Sequence, residues 1–475
     1  MSINTVNFGR VDAESETNLA EYFVDTGVFA RVQNGRKQFI IGRKGSGKTA
    51  LFILATSDRF GHPVIPLDFT NYAWESHKKI QESGLNPESV YTSSWRFTLL
   101  MAVCNYWRHN APKEIAQQAQ TFHDAIYKTE QPGWLEFLID KFRRIRRVDL
   151  PSIEGVFSMG GFELDDQADG AVLATSISQW SNVIFDFVKE NYRKSPFTIT
   201  LDRLDEGWDA SVESKMLLVG VIKAARELNQ ALGQFGHPPT VIVFLRSDIF
   251  NELQFNDKNK IAADIEYLDW SDEKLIDVIE ARIGRSLGIQ PKGSWSQVFS
   301  SAKMRQTANI DTYVLKRTMG RPRDIIAFCI SCQEIVTERT HSVVETSDVY
   351  DAESRYSRHI YDKLDDEMHK QVSQARDILQ TVRDMGVTRF SLEDWIASCQ
   401  KRVSSITEEE ARQWLKILFN YSVVGVQRTG GFRRGTKFQF VYNDRLLEPY
   451  FEGEMIVHPS LKKHLTLKEP KPDNN

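Results

Sequence analysis

Eight consecutive residues, Gly42-Arg43-Lys44-Gly45-Ser46-Gly47-Lys48-Thr49, place a glycine, four residues, then Gly-Lys-Thr. That spacing is the phosphate-binding loop pattern. Glycines let the backbone close around an anion without Cβ clashes. The freed N–H groups, and a following helix start carrying roughly half a positive charge, face the phosphates. Lys48 is placed to reach the β- and γ-phosphates of a nucleoside triphosphate, and the Thr49 hydroxyl to hold Mg²⁺. Ala50 follows as the first residue behind the loop.

A second run supplies the acids such a loop needs. Phe197-Thr198-Ile199-Thr200-Leu201-Asp202 is apolar and ends in a carboxylate, and Asp205 and Glu206 follow within a turn. Asp202 suits the metal's water shell. Either Asp205 or Glu206 can take the proton of an attacking water, with Glu206 slightly ahead. A third run, Val241-Ile242-Val243-Phe244-Leu245, ends at Arg246-Ser247. One of those two is the candidate contact to the γ-phosphate. Further on, Gly320-Arg321-Pro322-Arg323 marks a break between helices. Arg323 first, and Arg321 second, are the arginines able to fold back over the phosphates.

These side chains need a scaffold, and the pattern predicts one. Gln38–Ile41 reads as a buried strand before the loop, and Ala50–Leu54 as a helix start after it. Residues 64–69 read as a second strand, which its Pro66 sends toward an edge. Helices are expected over 94–109, 183–192 and 215–232, with strands over 197–201 and 240–245. This alternation predicts a parallel sheet covered on both faces. A helical lead-in is expected over 12–32. Residues 110–178 read as an insertion, with an amphipathic helix over 133–147 whose last seven residues hold five cations, and a loop over 155–170. Residues 272–340 read as all-helical.

Composition sets outer bounds. The chain has 475 residues, 41% hydrophobic and 26% charged, with a net charge of -4. That size suggests about three domains, and the charge gives no global attraction to nucleic acid. No apolar run approaches the roughly 20 residues that span a bilayer, so a cytoplasmic protein with no membrane partner is expected. Cys329 and Cys332 lie in an apolar run and read as packing residues rather than a metal or redox pair.

With these residues in hand, the chain resembles the AAA-like P-loop ATPases, especially the origin-recognition, STAND (signal-transducing) and KAP-type branches and a group of bacterial P-loop ATPases close to them. Residues 42–49, 197–206, 241–247, Leu268-Asp269-Trp270-Ser271 and 320–323 carry the likeness. The run Leu201–Glu206 is similar to the extended acidic signature of STAND enzymes, where a small residue usually occupies the position of Arg203. The resemblance implies an α/β P-loop core over 1–270, a helical lid over 271–365, a winged-helix-like domain over 366–460, and a flexible tail over 461–475. It implies ATP and Mg²⁺ as ligands. Members often sit in bacterial defence systems, which points to antiviral defence, a homo-oligomer and an effector protein partner.

The C-terminal region admits two uses. Helices over 375–385, 392–399 and 408–419 and strands over 423–426 and 437–442 fit the winged helix. The turn between the strands holds Arg428, Arg433, Arg434 and Lys437, which can grip nucleic acid. Glu408-Glu409-Glu410 at the start of the third helix repels it, which suits a latch or protein contact instead. The leading functional expectation is therefore an ATP-hydrolysing switch coupled to oligomerisation or a partner. The alternative is a nucleic-acid-dependent ATPase. A P-loop kinase is a third reading, weakened by the lack of an acceptor pocket pattern.

Overall fold

The computed structural model describes residues 2–16, 18–70, 87–126, 147–148, 162–163, 170–235, 239–369, 372–428 and 437–469. The chain forms two units, one of Gly27–Lys44 and Lys48–Leu268, the other of Met1–Thr26, Gly45–Gly47 and Asp269–Asn475.

In the first of these units a short helix α1 (Val28–Gln33) precedes β1 (Phe39–Gly42), and α2 (Lys48–Ala55) follows the loop. Next come β2 (Val64–Asp68), the long α3 (Pro87–Asn110) and α4 (Lys113–Ile126). A two-residue pair, β3 (Arg147–Val148) and β4 (Phe162–Glu163), is antiparallel. Then follow α5 (Gly170–Asn191), β5 (Thr198–Asp202), α6 (Val212–Gly233), β6 (Val241–Arg246), α7 (Ser247–Glu252) and β7 (Ile265–Tyr267). The large sheet is parallel in the order β2-β5-β6-β1-β7. Every residue of β1, β5 and β6 is buried, as expected for parallel strands covered on both faces. β2 takes an edge, where a proline lacking its N–H is tolerated.

Packing fixes the helices on this sheet. Trp95 of α3 donates its indole N–H to the Leu217 carbonyl of α6 at 3.0 Å. Gly220 lets α6 approach α3 closely, since a Cβ there would stand 2.8 Å from Tyr91 Cβ. The Asn229 amide brackets Val241, donating to its carbonyl and accepting from its N–H, both at 2.8 Å, and so sets where β6 starts.

The other unit is helical and then mixed. It contains α8 (Asp272–Leu287), α9 (Ile310–Leu315), α10 (Pro322–Glu338) and α11 (Thr346–His369). Ser271 caps α8, accepting from the Lys274 N–H. Pro322 opens α10, where a missing N–H costs nothing. Then come α12 (Ala375–Met385), β8 (Arg389–Phe390), α13 (Leu392–Arg402), α14 (Glu408–Asn420), β9 (Val424–Arg428), β10 (Lys437–Gln439) and β11 (Met455–Val457). The four strands form an antiparallel sheet in the order β10-β9-β11-β8.

Several expectations change. The lead-in over 12–32 is not one helix: two 3-10 turns and α1 are separated at Gly27, whose φ is +84°. Residues up to 26 group with the C-terminal unit, because Ile3, Val6 and Phe8 are buried in its core. Gln333 donates to the carbonyls of Ile3 and Val6, both at 2.7 Å. Arg282 donates to that of Phe8 at 2.9 Å. The loop expected over 155–170 contains β4, and Gly170 begins α5. The helix expected over 133–147 lies outside the described residues except Arg147, which is in β3. The flexible tail does not begin at 461. Leu461 and Leu465 are buried, and Lys468 forms backbone hydrogen bonds with Gly386 and Thr388.

Candidate functional site

The carboxyl ends of the parallel strands gather the predicted residues. In register, Gly42 lies opposite Arg246 and Asp68 opposite Asp202. Open parallel sheets bind ligands at such ends. Gly42 closes β1, while Gly45 and Gly47 have φ of +79° and +99°. Only these two glycines of the loop need the left-handed region. Lys48 begins α2 and donates its ammonium to the carbonyls of Gly42 at 2.9 Å and Arg43 at 3.2 Å. Burial pushes the Lys48 ammonium below its ordinary value, opposed chiefly by the charges of Asp205 and Asp202.

Asp202 ends β5 and is 3% exposed. Burial raises its carboxyl to about 6, against the pull of Lys48 and a hydrogen bond from Thr49. Its Oδ2 is buried with no hydrogen-bond partner. A buried carboxylate oxygen left unpaired is costly. With the Thr49 hydroxyl beside it, this donor set suits a hard divalent cation such as Mg²⁺, which prefers oxygen ligands.

Asp205 and Glu206 separate. Asp205 is half-buried and pairs with the Arg246 guanidinium at 3.3 Å. Arg246 also grips Asp248 through two hydrogen bonds, at 2.6 and 3.1 Å. Glu206 is exposed. Arg203 adopts φ +61° and pairs with Asp68 at 3.3 Å. That left-handed conformation favours glycine, and Arg203 adopts it with its guanidinium tied to Asp68.

In the other unit, the two arginines expected to fold over the phosphates differ. Arg321 is 6% exposed and bonds Asp324 at 2.8 Å, with Glu367 at 3.9 Å. Its charge belongs to a buried ion-pair cluster. Arg323 pairs with Glu367 at 3.5 Å and lies across Gly45: a Cβ there would stand 3.1 Å from Arg323 Cδ and 3.2 Å from its Nε. Trp270 has no predicted role, yet its indole N–H donates to the Ser46 carbonyl at 2.8 Å. The sequence signal was its place in the Leu268–Ser271 run.

Cys329 and Cys332 are buried on α10, and burial raises both thiols. Arg428 of β9 is tied to Asp444 at 3.0 Å and Gln439 at 3.2 Å. Arg433 and Arg434 lie outside the described residues, and Lys437 is exposed. Glu410 forms a capping box with Thr407, and Glu408 pairs with Arg412 at 3.0 Å, so two of the three acids start the helix. Among the described residues, no helix is long and apolar enough to cross a membrane.

Residues 273–365, from α8 through most of α11, match the FunZ-associated C-terminal helical domain. The chain is 21% identical to the 80.3 kDa protein named for transposon gamma-delta of Escherichia coli (strain K12), over 95% of this chain. It spans 66% of that relative's length. Among solved structures it is similar to the ORC1 protein of Aeropyrum pernix in complex with DNA, at 14% identity and a TM-score of 0.36, covering 96% of this chain and 94% of that one. It is also similar to Cdc6p from Pyrobaculum aerophilum, at 11% identity and 0.30, covering 94% and 91%. A third is the RuvB Holliday junction branch migration motor of Thermotoga maritima, at 11% identity and 0.32, covering 97% and 96%.

Proposed function

We propose that this chain binds and hydrolyses ATP, and that its nucleotide state sets its assembly or its hold on a protein partner. The carrying observation is Asp202 at the end of β5: a buried carboxylate whose Oδ2 lacks a hydrogen bond, under the charge of the half-buried Lys48 ammonium. A buried carboxylate oxygen left unpaired is costly, and a cation held on the phosphates would give it a partner.

The residues divide the work. The Gly45 to Thr49 backbone donates N–H groups to phosphate oxygens, and Lys48 offsets the charge of the β- and γ-phosphates. Thr49 and Asp202 would hold Mg²⁺ or its water shell, whose charge would offset that of the phosphates. Asp205, facing Lys48, accepts a proton as water oxygen bonds to the γ-phosphorus. The bond to the β–γ bridging oxygen breaks, and ADP and phosphate leave. Arg246 holds Asp205 in place at the end of β6. Arg323 is the lid arginine in this reading, and Arg321 a scaffold residue. The last three helices and antiparallel sheet serve as a winged-helix-like output.

Lys48→Ala tests the reading. Binding of labelled ATP and release of phosphate should both be lost, and unchanged turnover in that variant refutes the site. Mass measurement with and without ATP tests assembly; one invariant monomer counts against the switch. A second reading, an ATPase acting on nucleic acid, draws on the cations Arg433, Arg434 and Lys437 in the run between β9 and the end of β10. DNA-stimulated hydrolysis that weakens steeply with salt and falls in Arg433→Glu/Arg434→Glu would select it.

A further inference from the structure

We propose that Trp270 is a positioning residue for the phosphate-binding loop, turning the Gly47 N–H toward the nucleotide's phosphates through its hydrogen bond to Ser46. This role rests on the ATP-binding reading and deepens it.

The geometry is specific. The Trp270 indole donates to the Ser46 carbonyl oxygen at 2.8 Å. Its Cζ2 stands 3.8 Å from where a Cβ on Gly47 would be. The indole thus holds the carbonyl end of the Ser46–Gly47 peptide and lies on the side of Gly47 where a Cβ would project. That peptide is planar and trans, so its C=O and N–H point in opposite directions. Fixing the carbonyl on the Trp270 side fixes the Gly47 N–H on the other side. Gly47 has φ +99°, in a region where glycine is free to turn its peptide many ways, so an outside restraint is needed to choose one.

The restraint is itself anchored. Trp270 packs against the hydrophobic core of its unit. Ser271, the next residue, caps α8, so the indole's backbone is tied to a helix start. Neighbouring Ser46 is 2% exposed, and its hydroxyl is buried without a hydrogen-bond partner. The Ser46 side chain thus does not orient the peptide; the indole does. Preorganised donors aimed at an anion act without reorganisation cost when it arrives.

The test uses the full-length chain. Calorimetric titration with ADP and ATP is run on the natural protein, on Trp270→Phe, which keeps an aromatic ring and loses the donor, and on Lys48→Ala. Losing one oriented hydrogen bond to an anion predicts an approximately tenfold rise in Kd for both nucleotides in Trp270→Phe. The kcat at saturating ATP should stay within about threefold. A merely structural role would lower the number of competent sites and leave Kd unchanged, which overturns the proposal. So does a Trp270→Phe protein that binds like the natural one. If the natural protein binds neither nucleotide, the ATP reading fails first and takes this inference with it. If it binds and Lys48→Ala does not, the reading stands and Trp270→Phe decides the inference alone. Should Trp270→Phe fail to fold, the indole ¹⁵N–¹H resonances of the natural protein decide. One indole N–H protected from exchange and shifted by ADP supports the proposal, and a full set unmoved by ADP refutes it.

Discussion

Replacing Asp202 with asparagine should make this protein more stable above pH 6 while abolishing turnover. The Asp202 carboxyl is held at about 6 against an ordinary 3.8, with burial as the first cause. That value already includes the favourable pull of Lys48 and the Thr49 hydrogen bond, so it is a net penalty on the charged form. The sign follows from proton counting. Between pH 3.8 and about 6 the folded protein keeps a proton that the unfolded chain has released, so stability falls as pH rises through that window. Above it the penalty is complete, about 3 kcal/mol in order of magnitude. Below about pH 4 both states are protonated and the penalty vanishes. The asparagine amide carries no charge, and its oxygen can still accept from Thr49. Without nucleotide or metal, Asp202→Asn should therefore melt about 5–10 °C higher at about pH 8, and within about 2 °C of the natural protein at about pH 4. Added Mg²⁺ should narrow the gap at the higher pH by stabilising the natural protein alone. Thermal melts at the two pH values, paired with phosphate release, check this. An Asp202→Asn protein that melts lower at the higher pH would show that the carboxylate stabilises the fold, and the argument from burial would be wrong.

Arg321 and Arg323 should part company. Arg321→Met removes the cation beside Asp324, 1% exposed, leaving that carboxylate the Met319 N–H, and should cost about 3–5 kcal/mol in urea unfolding; a cost under about 1 kcal/mol refutes the buried-pair assignment. Arg323→Ala leaves Arg321 to hold Glu367, so stability should change by less than about 1 kcal/mol. Phosphate release should fall at least about tenfold, and unaltered hydrolysis removes Arg323 from the site. Gly45→Ala combines a φ of +79° with a Cβ 3.1 Å from Arg323 Cδ. It should destabilise by more than about 1 kcal/mol and weaken ATP binding. Adding Arg323→Ala should recover only the steric part, leaving the backbone cost, as a double-mutant cycle would show.

Four of the five strands of the parallel sheet were legible, the inner ones because burial on both faces leaves apolar runs that end in a residue unlike the rest: Gly42, Asp202, Arg246; the three-residue β7 at the edge was not expected. Pro66 announced the edge strand for the same local reason. What failed to show was whatever depends on partners distant in sequence. Ile3, Val6 and Phe8 look like an ordinary terminus until Gln333 and Arg282 are seen to hold their carbonyls. Leu461 and Leu465 read as a tail because their polar neighbours, not their buried partners, dominate the local pattern. The helix over 12–32 failed at Gly27, whose positive φ a periodicity argument cannot see.

The arginines show most clearly where sequence reasoning stops. Arg321 and Arg323 are two residues apart, carry the same charge and flank the same proline, so composition ranks them nearly equal. Burial separates them. Asp324, three residues after Arg321 on α10, lies within reach of it, and α11 brings Glu367 beside both. A guanidinium enclosed by two carboxylates is stabilised in place and has little to gain from an added phosphate. Arg323, two positions on, leaves the helix in another direction and lies across Gly45 instead. Its carboxylate partner stands at 3.5 Å, and its Nη1 is buried without a hydrogen bond. An incompletely satisfied cation beside a glycine of the loop proposed to bind phosphate gains most from an incoming anion. The same reasoning separates Asp205, which faces Lys48, from the exposed Glu206 beside it. In both pairs the local residues carry like charges, and only the neighbours across the fold decide which of the two is placed to act on a ligand.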